Sequence, residues 1–376
     1  SSLQAKFVFL WKVETHNVMS LSKRILVKIG SNVLTLSSGL PDEIRIGHLV
    51  RQISELKKEG YEVLLVSSGA VAAGRGILET SLPKLDKVSQ KQVLASIGQI
   101  ELMNLYLSQF QKHQLHCSQV LVTKESFRTR KHYLNIKNCL EALLASNVTP
   151  IINENDVVSI TELMFTDNDE LSGLVASMMN VESLFLLTNV DGIFTAHPKE
   201  KGAKLIRTFE EGTIDLEHAV SEIKSEFGRG GMLSKATTAQ EIANLGIDVY
   251  IGNGTKDTII KDLIVQETGT FFQAKNRSTT PIKKWVARSG GHSDARIIVN
   301  EGTKEALHSS KANSLLPVGV QSIEGSFKQG DVVSIFDNQN NAIGLGKVAY
   351  GSEEAIEVLG KRAQTPLIHY NYLVLN

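Results

Sequence analysis

From Arg24 to about Phe272, short runs of Val, Ile and Leu alternate with longer amphipathic stretches, the pattern of a mainly parallel sheet covered by helices on both faces. Strands buried on both faces read as continuous apolar runs. Such runs occur at Ile25 to Ile29, Val63 to Ser67, Val120 to Thr123, Pro150 to Asn153, Leu184 to Thr188 and Asp248 to Ile251. Between the first two, Pro41 to Glu59 predicts a helix: Ile46, Leu49, Val50, Ile53 and Leu56 fall on one face, Pro41 suits a first helical position, and Gly60 ends it. Helical spacing also covers Asp86 to Phe110, Tyr133 to Ser146, Asn168 to Met179 and Met232 to Leu245. Val157 to Phe165 alternates like a hairpin projecting from the sheet.

After Phe272 the texture changes to a polar stretch carrying Pro281, followed by short strand patterns rich in turn residues. The strand candidates are Ala295 to Val299, Val332 to Phe336 and Gly346 to Ala349, with one helical pattern near Thr303 to His308. The chain is therefore expected to hold an N-terminal extension (residues 1–20), an α/β domain (21–274), a linker (275–284) and a small, mostly β domain (285–376). A chain of 376 residues exceeds what one core usually serves, which fits two domains.

Lys plus Arg equal Asp plus Glu at 40 each, so no net field points to nucleic acid or an anionic membrane. Cys117 and Cys139 form no ligand motif, which fits a reducing cytoplasm. The apolar run Phe7 to Trp11 is too short for a signal sequence or a span, and its surroundings, with Glu14 and no arginine, suit a mitochondrial presequence poorly.

The candidate chemistry lies at strand ends. Lys28 sits inside the apolar run RILVKIG, and an ammonium buried there needs an anion, because an unpaired buried charge costs several kcal/mol. The Gly30-Ser31-Asn32 turn after it offers backbone N–H groups of the kind that meet phosphate oxygens. In an open α/β sheet, ligands bind beyond the carboxyl ends of the strands. The residues there are small and polar: Ser67 to Ala70, Asn153 to Asp156, and Thr188, Asn189, Asp191 and Gly192. Gly69 to Gly76 (GAVAAGRG) lacks the Lys-Ser/Thr of a phosphate-binding P-loop, and no dinucleotide fingerprint follows the first strand. Gly228 to Lys235 (GRGGMLSK) is the better phosphate candidate, since glycines run into a helix start with a lysine on its first turn. Asp167-Asn168-Asp169 opens another helix, where capping accounts for one carboxylate and leaves the second for Mg²⁺ handling or lysine positioning.

Taken together, KIGSNVLT at Lys28, SSGAVAAGR at Ser67, PIINEND at Pro150, TDNDELS at Thr166, LLTNVDGIFT at Leu186 and GRGGMLSK at Gly228 resemble the glutamate-phosphorylating branch of the amino acid kinase family, and the C-terminal region resembles a PUA domain. The resemblance implies the amino acid kinase fold, with ATP and Mg²⁺ used to phosphorylate the side-chain carboxylate of L-glutamate in proline biosynthesis. It also implies Lys28, Lys235 and Asp169 as catalytic residues, with Asp169 holding the two lysines. Ser68, Asp156 and Asn168 match glutamate-binding positions. Lys28, Thr188, Asn189 and the loop Arg229, Gly230, Gly231, Met232, Leu233, Ser234 and Lys235 match nucleotide-binding positions. Asn189 stands where the family commonly has aspartate, and Arg229 where it has a small polar residue. No protein side chain is assigned as a metal ligand. A homo-oligomer, feedback inhibition by proline and handover of the product to glutamyl phosphate reductase are implied in the same way.

The rival readings are a kinase of the same fold acting on aspartate, acetylglutamate or a nucleotide, an RNA-binding protein using the PUA-like domain, and an amino-acid sensor without catalysis. The NEND block and the second domain favour glutamate. From Pro281 to Asn376 there are ten Lys/Arg against nine Asp/Glu, a net of +1, a poor footprint for nucleic acid. The joint presence of Lys28, Asp169 and Lys235 argues against a sensor.

Overall fold

A computed structural model describes residues 23–78, 83–127, 130–158, 165, 167–195, 202–209, 231–275, 283, 286, 295–309, 313–361 and 365–375. The first domain is built on strands β1 (Lys23–Ile29), β2 (Tyr61–Ser67), β3 (His116–Val122), β4 (Val148–Glu154), β5 (Ser183–Thr188), β6 (Thr208–Phe209), β7 (Asp248–Asn253) and β8 (Thr270–Phe272). They form one sheet in the order β3-β4-β2-β1-β5-β7-β8-β6. β1 pairs in parallel with β2 on one side and β5 on the other, whereas β8 runs antiparallel to β7. The chain thus moves to one side of β1 for β2 to β4 and to the other for β5 and β7. The carboxyl ends of β2, β1 and β5 meet at the switch point where a ligand crevice is expected.

The period of two along β1 divides its side chains between two cores. Ile25, Val27 and Ile29 pack with the one-turn helix α1 (Ser31–Leu34), α2 (Glu43–Lys58), α4 (Lys87–Lys112) and the short Ile259–Ile264 helix. Leu26 packs on the other side with α5 (Arg130–Ala145), α6 (Asn168–Met179) and α7 (Gly231–Asn244). Lys28 shares the face of Leu26, so the same alternation that builds the core aims its ammonium at the α6 side. Helix α6 is buried along its whole length from Leu171 to Met179, as expected for a helix without a polar face. Its start is fixed by Asp167, whose side chain accepts from the N–H groups of Asp169 at 2.9 Å and Glu170 at 3.1 Å.

The differences from the expected elements have local causes. Pro41 does not open α2: the Asp42 side chain accepts from Arg45 N–H at 3.0 Å, so Asp42 is the cap and Glu43 the first helical residue. Strand β3 begins at His116, earlier than Val120, because this edge strand is largely exposed and lacks an apolar run at its start. The predicted helices omit Ala70–Leu78, here α3, and the Ile259–Ile264 helix. Glycines at a crossing with α4 explain α3: a Cβ on Gly98 would lie 1.8 Å from Ala70 O, and one on Gly74 would lie 1.9 Å from Leu94 O. Gly98→Ala is therefore expected to force the helices apart and lower stability by roughly 1–3 kcal/mol, as overpacked cores do. A urea midpoint equal to wild type would contradict this.

The second domain is a five-stranded sheet in the order β10-β9-β11-β12-β13, made of β9 (Arg296–Val299), β10 (Val320–Glu324), β11 (Val332–Phe336), β12 (Ala342–Lys347) and β13 (Leu373–Leu375). It has its own core, including Ile297, Val299, Val333, Ile335, Leu367 and Ile368. β11 lies where the apolar pattern puts it. β12 starts earlier than Gly346 because Gly344 and Gly346 stand inside the strand, where Gly344 meets Val374 O and Gly346 meets Ile368. The expected N-terminal extension, most of the proposed linker, and residues 159–164 of the expected hairpin lie outside the described residues. No helix among the described residues is long and apolar enough to cross a membrane.

Candidate active site

Strand β1, helix α6 and helix α7 bring three charges to one point. Lys28 Nζ lies 2.6 Å from Asp169 Oδ1, and Lys235 Nζ donates to Asp169 Oδ2 at 2.5 Å. Asp169 is fully buried and Lys28 is only 4% exposed, while Lys235, on the first turns of α7, is half-buried. Burial works to raise the Asp169 carboxyl, but the fields of Lys28 and Lys235 outweigh it and hold it below the ordinary carboxylate range. Burial pushes Lys28 below the usual lysine range against the pull of Asp169, and the like charge of Lys235 adds to the push. Two ammonium groups share one carboxylate, with the charge of Asp167 acting on Lys28 from farther off, so both cations keep N–H donors to spare in a poorly solvated place. Such a site is complementary to a further anion.

Two details of the expected phosphate site change. Gly30 N–H donates to Leu187 O at 3.1 Å, so it ties β1 to β5 and is not presented to a ligand. The second carboxylate of the Asp167-Asn168-Asp169 start is committed as well: Asp167 caps the helix and accepts from Ser234 Oγ at 3.3 Å, while Asp169 positions the lysines. Among the described residues no group of three or more His, Cys, Asp or Glu side chains is arranged to hold a metal ion.

Beside the lysines lies a cluster of neutral polar groups. Asn168 Nδ2 donates to Ser68 Oγ at 2.8 Å and to Asn153 Oδ1 at 3.1 Å, and Asn153 Nδ2 donates to Gln99 Oε1 at 2.9 Å. The Asn168 amide nitrogen faces β2 and β4, which leaves its carbonyl oxygen as an acceptor, and Ser68, having accepted, keeps its own hydrogen to donate. Beneath them Ser67 Oγ donates to Ser68 O at 3.1 Å and pairs with Tyr106 OH at 2.9 Å. Burial pushes the Tyr106 phenol up, so it stays a neutral donor to Ser67. Gly69, at φ +106°, allows the turn that carries Ser68 away from the strand. Asp156, just beyond β4, pairs with Lys91 of α4 at 2.8 Å and lines a cavity of about 420 Å³ together with Ala70, Gln99, Glu154 and Asn155.

The expected nucleotide positions are placed in part. Thr188 ends β5, its Oγ1 donates to Asn189 Oδ1 at 3.4 Å, and its carbonyl accepts from Gly254 N–H at 2.8 Å. Asp191 then joins the loop after β7, accepting from Asn253 Nδ2 at 3.1 Å and pairing with Lys256 at 2.9 Å. Gly231 opens α7 and Leu233 follows on its first turn, while the half-buried Met232 side chain packs against the α5–α7 core. Arg229 and Gly230 lie outside the described residues. Sequence reasoning missed Lys91, Gln99 and Tyr106, all on α4, because their partners sit on strand ends far away in the chain.

A mainly parallel sheet that sets two lysines on a buried aspartate, next to a small polar pocket, defines a phosphotransferase that handles a highly charged anion. The chain belongs to the amino acid kinase family, whose model matches residues 23–253, and the PUA domain model matches residues 295–369. It is 46% identical to glutamate 5-kinase of Bacteroides thetaiotaomicron over 94% of this chain and 98% of that protein. Glutamate 5-kinase of Chlorobaculum tepidum is 45% identical over 94% of this chain and 97% of that protein. Glutamate 5-kinase 1 of Bacillus subtilis is 38% identical over 91% and 93% respectively.

Proposed function

We propose that the chain transfers the γ-phosphoryl group of ATP to the side-chain carboxylate of L-glutamate, forming L-glutamyl 5-phosphate, the first step of proline biosynthesis. The observation that carries the reading is the Lys28–Asp169–Lys235 triad at the sheet's carboxyl edge. The chain's identity to relatives named for this activity, over nearly their whole length, supports the choice of acceptor.

The reaction suits these residues. A glutamate side-chain carboxylate, with a pKa near ~4.3, is already ionised at neutral pH, so no general base is needed. The difficulty is to bring two anions together and to neutralise the charge that spreads over the phosphoryl oxygens in the transition state. Lys28 and Lys235 supply that charge, and Asp169 is a positioning residue that sets the distance between them. Mg²⁺, bound with ATP, supplies further neutralisation of the phosphates. On the acceptor side, the Ser68 hydroxyl offers a donor for a carboxylate, whereas the Asn168 carbonyl and Asp156 offer acceptors for the ammonium. Thr188, Asn189 and the start of α7 form the nucleotide side. The acyl phosphate product is hydrolytically labile, which favours direct handover to a reductase, and a cytoplasmic homo-oligomer fits the family.

With ATP, Mg²⁺, L-glutamate and hydroxylamine, the protein is expected to form ADP and the glutamyl hydroxamate. Hydroxamate formed from aspartate but not from glutamate would overturn the assignment.

A further inference from the structure

A main-chain N–H sets the direction of a row of side-chain amides at the end of β4. Glu154 N–H donates at 2.9 Å to the Asn153 side chain, and because a main-chain nitrogen can only donate, the atom that faces it is Oδ1. Asn153 Nδ2 is thereby turned toward α4, where Gln99 Oε1 accepts from it at 2.9 Å. On the other side Asn168 gives Nδ2 to Asn153 Oδ1 at 3.1 Å and keeps its carbonyl for a ligand. The fold thus uses the acceptor half of the Gln99 amide and leaves both Nε2 hydrogens without a partner among the described residues. Gln99 lines the cavity beyond Asn153 together with Glu154, Asn155 and Asp156, and no Lys, Arg or His among the described residues lines it. A carboxylate entering this cavity must therefore be met by neutral donors. Ser96 is not one of them, since its hydroxyl donates to Val93 O at 2.8 Å. A tie between α4 and β4 would be made equally well by a glutamate at position 99, whose carboxylate would accept from Asn153 in the same way. What a glutamine adds is the pair of N–H donors.

We propose that Gln99 is a specificity-determining residue whose Nε2 donates to the α-carboxylate of the acceptor amino acid. This rests on the glutamate reading above. The carboxylate to be phosphorylated must point to the Lys28–Asp169–Lys235 triad, and none of these three residues lines the cavity. The α-carbon end of the substrate therefore lies beyond Ser68 and Asn168, on the side of Asn153 and Gln99. There the Asn168 carbonyl and Asp156 face the ammonium, and Gln99 faces the carboxylate on the same carbon. One backbone N–H fixes both halves of this polarity, the acceptor at Asn168 and the donor at Gln99. A ligand without the α-carboxylate forfeits the Gln99 hydrogen bond, and the site binds it less well.

Two variants and two analogues separate this role from a structural tie. Gln99→Leu removes both halves of the amide, whereas Gln99→Glu keeps the acceptor for Asn153 and removes the donor. Glutarate keeps both carboxylates and lacks the ammonium, while 4-aminobutyrate keeps the ammonium and the carboxylate to be phosphorylated and lacks the α-carboxylate. In Gln99→Leu, KM for L-glutamate and the inhibition constant of glutarate against it are expected to rise about 10- to 100-fold, the effect of one hydrogen bond to a charged group, with kcat changed far less. The inhibition constant of 4-aminobutyrate is expected to move less than about 3-fold, because that ligand never used the lost donor. Gln99→Glu is expected to bind L-glutamate no better than Gln99→Leu does. If Gln99→Glu keeps the wild-type KM, or if Gln99→Leu weakens 4-aminobutyrate as much as L-glutamate, Gln99 only holds Asn153 and Asn168 in place and the proposal is overturned. If the wild type forms no hydroxamate from L-glutamate at all, the glutamate reading itself falls and takes the proposal with it.

Discussion

Asp169→Asn is expected to lower kcat by at least about 10³-fold, because it removes the group that places both cations while leaving the proposed glutamate contacts at Ser68 and Asp156 intact. Loss of a single positioned charge at a transition state typically lowers turnover 10²- to 10³-fold, and here two are misplaced at once. The same change is expected to destabilise the fold by about 3–5 kcal/mol at neutral pH, since a buried ammonium loses its counter-ion and Asp169 is wholly buried. The pH dependence has a definite sign. Asp169 has a depressed folded pKa, so its contribution is present above the ordinary value of 3.8 and is lost as pH falls through the folded value. Urea midpoints for wild type should therefore fall in acid, below about pH 4, more steeply than those of the variant. A variant with wild-type turnover, or with the same midpoint at pH 7, would show that Asp169 does not organise the site.

Lys28→Met and Lys235→Met are each expected to lower kcat by about 10²- to 10³-fold while KM for glutamate stays within about 3-fold. The reason is geometric. The triad lies on the α6–α7 side of β1, whereas of the proposed glutamate contacts Ser68 and Asp156 come from the β2 and β4 ends and only Asn168 from α6, so the lysines act chiefly on charge that grows during transfer. ATP affinity should also weaken, because the two ammonium groups that converge on Asp169 are what a triphosphate would meet. The double variant should be little worse than the poorer single one, since the lysines work as a pair through one carboxylate. Initial-rate kinetics with both substrates varied would separate these effects. A glutamate KM that rises with kcat unchanged would place the lysines in ground-state binding.

The parts of this site that could be read from the sequence are those where a residue conflicts with its local pattern. Lys28 interrupts an apolar strand, and Asp169 is a second carboxylate at a helix start that needs only one; both turn out to be buried and paired. Helix α6 was legible to the residue because its cap and its apolar run agree. Helix α3 was not legible, because its glycines signal a loop locally and are required only by the backbone of α4 pressing against them. The edge strands β10 and β13 are short and half-exposed, so no period announces them. Lys91 and Gln99 look like ordinary helix-surface residues, and only the folded chain shows that β4 ends opposite them.

The convergence of Lys28 and Lys235 on one triphosphate can be observed without turnover. In protein labelled with ¹⁵N-lysine, the Nζ signals of both residues, assigned from the two methionine variants, are expected to shift together when Mg²⁺ and a non-hydrolysable ATP analogue are added, and to remain still with glutamate alone. A shift of one signal without the other, or of neither, would contradict the account.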